Sequence, residues 1–163
     1  MPSFRSTRMV KHSPTQMFDL VADVERYPEF LPLCESLRVI RRTTDEAGRE
    51  VLIAAMGVGY KAIKETFTSR VTLDRANRQI LVEYVDGPFK RLQNRWEFKP
   101  AAEGCAVEFF IEYEFRSRML GMLMGSMFDQ AFRRFSEAFE QRAHQVYGRP
   151  VPAQQIPVSH RRS

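Results

Sequence analysis

The polar residues of this chain that could carry out chemistry are few, and they form no recognised catalytic motif. Glu65 and Ser69 share the alternating register of the apolar residues on one face of a predicted strand, so both side chains are expected to point inward. Tyr84 and Tyr113 could join them from neighbouring strands. General acid–base catalysis requires such groups to converge inside a cavity. Four polar residues spread over three strands are weak support for catalysis.

The histidines and cysteines do not indicate a reactive centre either. His12 and His144 lie outside the predicted strand interiors and are expected at the surface. Cys34 and Cys105 are isolated, without the spacing of a zinc site or a disulfide framework. The chain also lacks a nucleophile motif and a glycine-rich phosphate loop. We therefore predict a protein that is not an enzyme, with no metal and no cofactor.

Composition narrows the class of protein. The 163 residues are 44% hydrophobic and 28% charged, which is typical of one globular domain with a sizeable core. Thirteen Phe and eight Met are unusual. Met adapts to varied apolar ligands, but it also fills irregular core space, so both interpretations stay open.

Charge and hydropathy constrain the partners and the location. A net charge of +5 and a pI near 9.5 allow nucleic acid or an anionic membrane as a partner. The basic residues are scattered rather than interleaved with aromatic residues, so DNA binding is not predicted. The N-terminus has no apolar signal core, and the longest apolar run is about half the ~20 residues of a membrane span. The expected location is the cytoplasm, with transient, peripheral contact at the inner membrane left open.

A long helix near the C-terminus organises the predicted fold. It is expected to begin after the N-cap Ser117 and to end at Tyr147. Its second half is amphipathic, with apolar residues at three-and-four spacing. Residues 119–128 carry no charge, so this first half is expected either to be buried on every side or to line an apolar cavity. Gly121 and Gly125 are expected to loosen it.

Alternating apolar residues and turn signals predict seven strands before this helix. They are expected at residues 4–10, 37–44, 50–56, 60–73, 79–85, 90–98 and 107–115. Ser13 and Gln16 form a capping box for a helix that runs to about residue 25, and two prolines limit the next segment to a short helical turn. Hairpin-length turns require an antiparallel sheet, and the closing helix is needed to cover its apolar face. The predicted class is α+β.

Smaller features of the predicted sheet concern its turns and its polar face. Gly57 and Gly59, and likewise Gly87, are predicted at hairpin tips, where they would form the lips of any cavity. Arg91 and Arg95 are expected to pair with glutamates of the final strand.

Three segments, taken together, resemble a known family. They are Tyr-Pro-Glu-Phe-Leu-Pro-Leu-Cys at residues 27–34, Gly-Pro-Phe-Lys-Arg-Leu-Gln-Asn-Arg-Trp-Glu-Phe at residues 87–98, and the Met- and Phe-rich closing helix. They resemble the coenzyme Q-binding START-like family of the polyketide cyclase and lipid-transport superfamily. The resemblance implies a helix-grip fold, similar to START domains and birch-pollen allergens, in which a curved antiparallel sheet wraps around the C-terminal helix. The domain is predicted at residues 3–148, followed by a disordered tail at residues 149–163.

The resemblance also implies a function and a site. The expected ligand is a polyprenyl quinone (ubiquinone) or a related lipid, held in a hydrophobic tunnel in support of respiratory electron transport. The alternative is a role on the ribosome, because the family includes bacterial toxins that block association of the ribosomal subunits. The resemblance assigns ligand binding to two aromatic segments and the closing helix, and we add residues from the apolar strand faces. The predicted set is Phe30, Leu31, Phe67, Phe89, Leu92, Trp96, Phe109, Tyr113, Met119, Met124 and Phe128.

Two positions depart from the family pattern. Leu33 stands where family members often have Trp, and Asn94 stands where Gly is common. The first change is expected to alter stacking against a quinone ring, and neither is expected to alter the fold.

Overall fold

The computed structural model describes residues 2–148, so the predicted tail at residues 149–163 lies outside the described residues. The elements are two α-helices, a short 3-10 helix and seven strands. In chain order they are β1 (Ser3–Val10), α1 (Pro14–Ala22), the 3-10 helix (Val24–Glu29), β2 (Cys34–Thr44), β3 (Glu50–Tyr60), β4 (Ile63–Asp74), β5 (Gln79–Asp86), β6 (Phe89–Ala101), β7 (Gly104–Phe115) and α2 (Arg118–Tyr147). Every predicted element is present, with boundaries that differ by a few residues.

The seven strands form one antiparallel sheet in the order β1-β7-β6-β5-β4-β3-β2. Because neighbours alternate in direction, one end of the sheet collects the ends of β3, β5 and β7 and the starts of β4 and β6. The chain leaves β7 at this end and enters α2, which crosses the apolar face. The predicted α+β helix-grip arrangement is confirmed.

Local signals account for the starts of both helices and for the end of α2. The Ser13 hydroxyl accepts a hydrogen bond from the Gln16 amide at 3.0 Å, and the Ser13 amide donates to the Gln16 side chain at 3.0 Å, as the capping box predicts. The Ser117 hydroxyl accepts from the Leu120 amide at 3.2 Å. At the other end Gly148 adopts a φ of 85°, which glycine tolerates without strain.

The prediction of a hairpin tip at Gly57 and Gly59 is wrong. β3 continues through both residues to Tyr60. A bulge in the neighbouring strand β2 brings the side chains of Ser36 and Glu35 into the space that a Cβ atom would occupy at Gly57 and Gly59. Glycine therefore permits close approach within a strand rather than a turn.

Of the two arginines predicted to pair with glutamates of the final strand, only Arg91 does so. Arg91 lies 3.5 Å from the carboxylate of Glu114 on β7. Arg95 forms no ion pair among residues 2–148, and its guanidinium lies 4.8 Å from the centre of the Phe110 ring. Arg5 of β1 approaches the same ring at 4.5 Å. Both arginines are directly opposite Phe110 in the sheet register, so they can reach its ring from the two flanking strands.

Candidate functional site

An apolar cavity of about 100 Å³ lies between the inner face of the sheet and α2. The sheet contributes alternate residues of its central strands, because side chains two apart share a face. On β3, for example, the lining residues are Ala54, Met56 and Val58. The segment around the 3-10 helix forms the side wall with Val24, Tyr27, Leu31, Pro32 and Leu33.

The apolar stripe of α2 forms the roof. Its lining residues are Phe128, Ala131, Phe132, Phe135 and Phe139. These positions recur at intervals of three and four residues, so they lie along one face of the helix. Phe139 packs edge-on against the Trp96 indole at a centroid distance of 5.1 Å. The second half of α2 therefore closes the cavity against the sheet.

An aromatic cluster closes the cavity at the end where α2 begins. We call Phe67, Phe89, Phe115 and Phe128 the aromatic plug. Phe89 is fully buried and stacks on Phe115 at 4.9 Å, while Phe67 meets Phe89 edge-on at 5.3 Å. Phe128 lies 5.8 Å from Phe89 and 5.3 Å from Phe115. Entry from this end requires these rings to move.

Polar groups in the lining are few and largely hydrogen-bonded. The Asn94 amide donates to the Phe110 carbonyl at 2.8 Å, and the Trp96 indole donates to the Asn94 side-chain oxygen at 3.0 Å. Ser69 is buried and also lines the cavity. The Tyr27 hydroxyl donates to the Val21 carbonyl, and burial raises the pKa of Tyr27 far above its ordinary range, so the phenol stays neutral. The described lining residues include no carboxylate, imidazole or amine.

Six of the eleven predicted ligand-binding residues line the cavity, and these come from the side wall, the sheet and the roof. They are Leu31, Phe67, Phe89, Leu92, Trp96 and Phe128. Phe109, Tyr113 and Met124 do not line it, because they are buried in the core beside it. Phe30 faces the second half of α2: the centre of its ring lies 5.1 Å from that of Phe139, and the Arg142 guanidinium lies over the Phe30 ring at 5.1 Å.

Met119 is in a different environment from either of those expected. Its exposed fraction is 71%, and Met122 and Leu123 are exposed by 85% and 56%. The first half of α2 is thus neither buried on every side nor turned entirely to the cavity. Only one face of this half packs against the rest of the protein, and it carries the buried side chains of Met124 and Phe128.

The other polar candidates also need correction. Glu65 is half-buried but does not line the cavity, and the Tyr84 hydroxyl accepts a hydrogen bond from the Phe89 amide at 3.2 Å. His12 is only 4% exposed, and its Nε2 lies 3.0 Å from Nδ1 of His144. The prediction that His12 lies at the surface is wrong, because α2 folds back over the start of α1. Burial, and then the nearby His144, lower the pKa of His12.

Several lining residues were missed in the sequence. Phe132, Phe135 and Phe139 follow the three-and-four spacing of α2 and could have been assigned from that spacing. Leu33 was left out of the predicted set, although a change in quinone stacking was expected there; it adopts a φ of 67°, unusual for a bulky residue, and its carbonyl accepts from the Gly59 amide at 3.0 Å. This backbone turn directs Leu33 into the cavity wall.

The cavity is small for a lipid site. Pockets that hold drug-sized ligands measure roughly 300–1,000 Å³, compared with about 100 Å³ here. The described conformation is therefore too contracted to hold such a ligand. A ligand with a ring and a long tail requires the roof or the aromatic plug to move outward.

Comparisons with known proteins agree with this geometry. A family model described as polyketide cyclase / dehydrase and lipid transport matches residues 10–140. The chain is 37% identical over 148 residues to the ribosome association toxin RatA of Escherichia coli (strain K12), with 90% of each chain covered. It is 28% identical over 161 residues to the mitochondrial coenzyme Q-binding protein COQ10 homolog B of Xenopus laevis, which covers 96% of this chain and 62% of that protein.

Solved structures show the same fold. The solution structure of an 18 kDa protein from Caulobacter crescentus is 36% identical and matches with a TM-score of 0.74, covering 91% of this chain and 99% of that one. An aromatase/cyclase from Streptomyces sp. R1128 matches with a TM-score of 0.70, covering 96% and 99% of the two chains. At 17% identity it shows a shared fold alone.

Proposed function

Because this chain belongs to the polyketide cyclase / dehydrase and lipid transport family, we propose that it binds a hydrophobic molecule in the cavity under α2 without transforming it. The proposed ligand is a polyprenyl quinone of the ubiquinone type or a related lipid, carried in support of respiratory electron transport. The quinone would be cargo rather than a cofactor. Relatives of this chain include one named as a coenzyme Q-binding protein.

The lining of the cavity is the observation that carries this proposal. Its side chains are almost all apolar, with Ser69 and Asn94 as the polar exceptions on the sheet. A quinone head has two carbonyl oxygens that accept hydrogen bonds. The Ser69 hydroxyl can donate one, and the Asn94 amide has a second N–H beyond the one that reaches Phe110. These two residues suit orientation of a quinone head, and such a lining offers no acid–base pair for catalysis.

Binding would require this small cavity to expand. The aromatic plug separates the cavity from the start of α2, and the plug residue Phe128 belongs to that helix. A methyl group added at Gly125 would meet no atom within 4 Å, and one at Gly121 would make only ordinary contact with Phe115. Neither glycine is needed for close packing. We propose that they instead leave the first half of α2 able to bend away from the sheet.

Extraction of the purified protein tests this function without presuming the ligand. Protein expressed in a host that makes quinones should release a polyprenyl quinone into organic solvent, which mass spectrometry identifies. In lipid-free protein, titration with short-chain ubiquinones should change the fluorescence of Trp96, the only tryptophan. Ser69→Ala should weaken this binding by about 2- to 12-fold, the effect of one hydrogen bond. No extracted lipid and no fluorescence change would overturn the proposal.

A second candidate function is a role on the ribosome. The observation in its favour is the 37% identity to a protein named as a ribosome association toxin, over 90% of both chains. The net charge of +5 suits contact with RNA phosphates. The test is a sucrose gradient of ribosomal subunits with added protein. Loss of the associated 70S particle would support this role, and an unchanged profile would count against it, whatever the extraction finds.

A further inference from the structure

The start of α2 presents an exposed apolar surface that the proposed cavity does not use. Met119, Met122 and Leu123 are exposed by 71%, 85% and 56%. Their spacing of three and four residues places them on one face of the helix. We call these three residues the Met patch. Single exposed apolar residues are ordinary, but three adjacent ones on one helical face indicate an interaction surface.

The Met patch lies next to the closed end of the cavity. The Arg116 amide, just before α2, donates to the Pro88 carbonyl at 2.8 Å, which joins the start of the helix to the β5–β6 turn. Phe89 follows that turn and is the central ring of the aromatic plug. A partner that contacts the Met patch is therefore adjacent to the rings that must move to open the cavity.

Positive charge surrounds this end of the helix. Arg116 and Arg118 are exposed, and neither forms an ion pair with another residue of the described range 2–148. Nearby on β6, Lys90 and Arg91 share the single carboxylate of Glu114, at 3.9 and 3.5 Å. With Asp86 at the end of β5 included, these four cations face two carboxylates, so the surroundings of the Met patch carry a net positive charge. Apolar side chains flanked by cations match a bilayer surface with anionic headgroups, into which the apolar groups insert while the cations contact phosphates.

We infer that the Met patch, together with Arg116 and Arg118, docks this protein on an anionic lipid bilayer. The proposed contact is peripheral. No helix within residues 2–148 has the length and hydropathy to span a membrane. This inference deepens the proposed function and rests on it, since a carrier of a water-insoluble lipid must collect that lipid from a membrane. Docking places the plug at the headgroup level, where displacement of Phe89 or Phe115 opens the cavity toward the acyl chains.

Flotation with vesicles tests the inference directly. One set of vesicles contains phosphatidylcholine alone, and the other also contains phosphatidylglycerol. The full chain should float with the second set and much less with the first. Met122→Asp should lower the binding at least roughly tenfold, from the loss of one inserted side chain. Replacing Arg116 and Arg118 with Gln should lower it by about fivefold for each arginine.

A matched control lies on the same helix. Val146, in the last turn of α2, is 51% exposed, similar to Leu123. Val146→Asp should float like the unaltered protein. Thermal melts, and binding of a soluble short-chain quinone, show whether each variant is folded and has a working cavity. The Met122→Asp variant should still bind this quinone but should not float with the vesicles. That result would separate docking from ligand binding.

Four outcomes would overturn the inference. Equal flotation with both sets of vesicles would exclude a role for the cations, and equal loss in Met122→Asp and Val146→Asp would exclude the patch. If the protein binds no vesicles but is a dimer that Met122→Asp dissociates, the occupant is a second copy of the chain. If it binds no vesicles but sediments with ribosomes in a Met122-dependent manner, the occupant is the ribosome. Flotation that fails while quinone binding persists would leave the proposed function intact.

Discussion

Filling the cavity should stabilise the protein and weaken ligand binding at the same time. Ala54 of β3 lines the cavity and is 4% exposed, so Ala54→Leu extends a larger side chain into empty space. A cavity of about 100 Å³ lowers the free energy of unfolding by ~2.4 kcal/mol at ~24 cal/mol per Å³. A second estimate of the gain from filling it agrees, because burying three added carbons stabilises the fold by ~2.4 kcal/mol at ~0.8 kcal/mol each. Since the fit will be imperfect, we expect the free energy of unfolding to rise by about 1–2 kcal/mol.

Urea denaturation followed by circular dichroism measures this change. The slope against denaturant should stay constant, because the surface exposed on unfolding hardly changes. The melting temperature should rise by about 2–8 °C for a chain of this size. Titration with a short-chain ubiquinone, monitored by Trp96 fluorescence, should show at least a roughly tenfold loss of affinity, since the added side chain occupies the ligand's space.

The neighbouring residue provides the matched control. Ala55 follows Ala54 on β3, so its side chain points to the opposite face of the sheet and does not line the cavity. Ala55→Leu should change stability by less than about 0.5 kcal/mol and leave ligand affinity unchanged. If Ala54→Leu destabilises the protein, the space beside it is not free. If Ala54→Leu stabilises the protein yet binds quinone normally, the ligand occupies another site.

Three further predictions concern α2 and the residues that pack against it. Gly125→Ala should raise the free energy of unfolding by about 0.5–1 kcal/mol, because the added Cβ meets no atom within 4 Å. The same change should slow lipid uptake, and uptake at the original rate would mean that the helix need not bend. Burial and the nearby His144 lower the pKa of His12 below its ordinary 6.5, so folding favours the neutral ring. Stability in urea should therefore be full above about pH 6.5 and fall as the pH drops through the folded-state pKa, and His12→Gln should weaken that dependence; an equal slope in both proteins would contradict this. Phe30→Ala should cost about 1–3 kcal/mol by removing the contact with Phe139, and an accompanying loss of quinone affinity would return Phe30 to the binding site.

Local sequence rules predicted most of the fold. The Ser13–Gln16 capping box, the N-cap at Ser117 and the strict alternation of β7 each depend on residues within a few positions of one another. Such signals can be predicted from the sequence because backbone geometry determines which neighbouring residues share a face. The family resemblance at residues 27–34 and 87–98 then identified the helix-grip arrangement, which the family match and the sheet topology confirm.

The candidate site was predicted less completely. Residues that line the cavity from strands, such as Phe89 and Trp96, were identified by the family resemblance, whereas Phe30 was assigned to the cavity although it packs on the far half of α2. Its ring points away because the 3-10 helix sets the direction of each side chain in that segment. The volume of the cavity depends on the packing of some two dozen side chains from distant parts of the chain.

The sequence by itself determined which faces of the strands and of α2 are apolar, and through them the α+β class. What covers each face was decided only by the tertiary structure. Met119 and Met124 read alike in the sequence, yet one is 71% exposed and the other is fully buried. His12 is buried only because the far end of α2 returns to it, 132 residues along the chain. The spacing of apolar residues indicates the direction of a side chain relative to its own helix or strand. Whether that side chain is buried depends on which distant element packs against it.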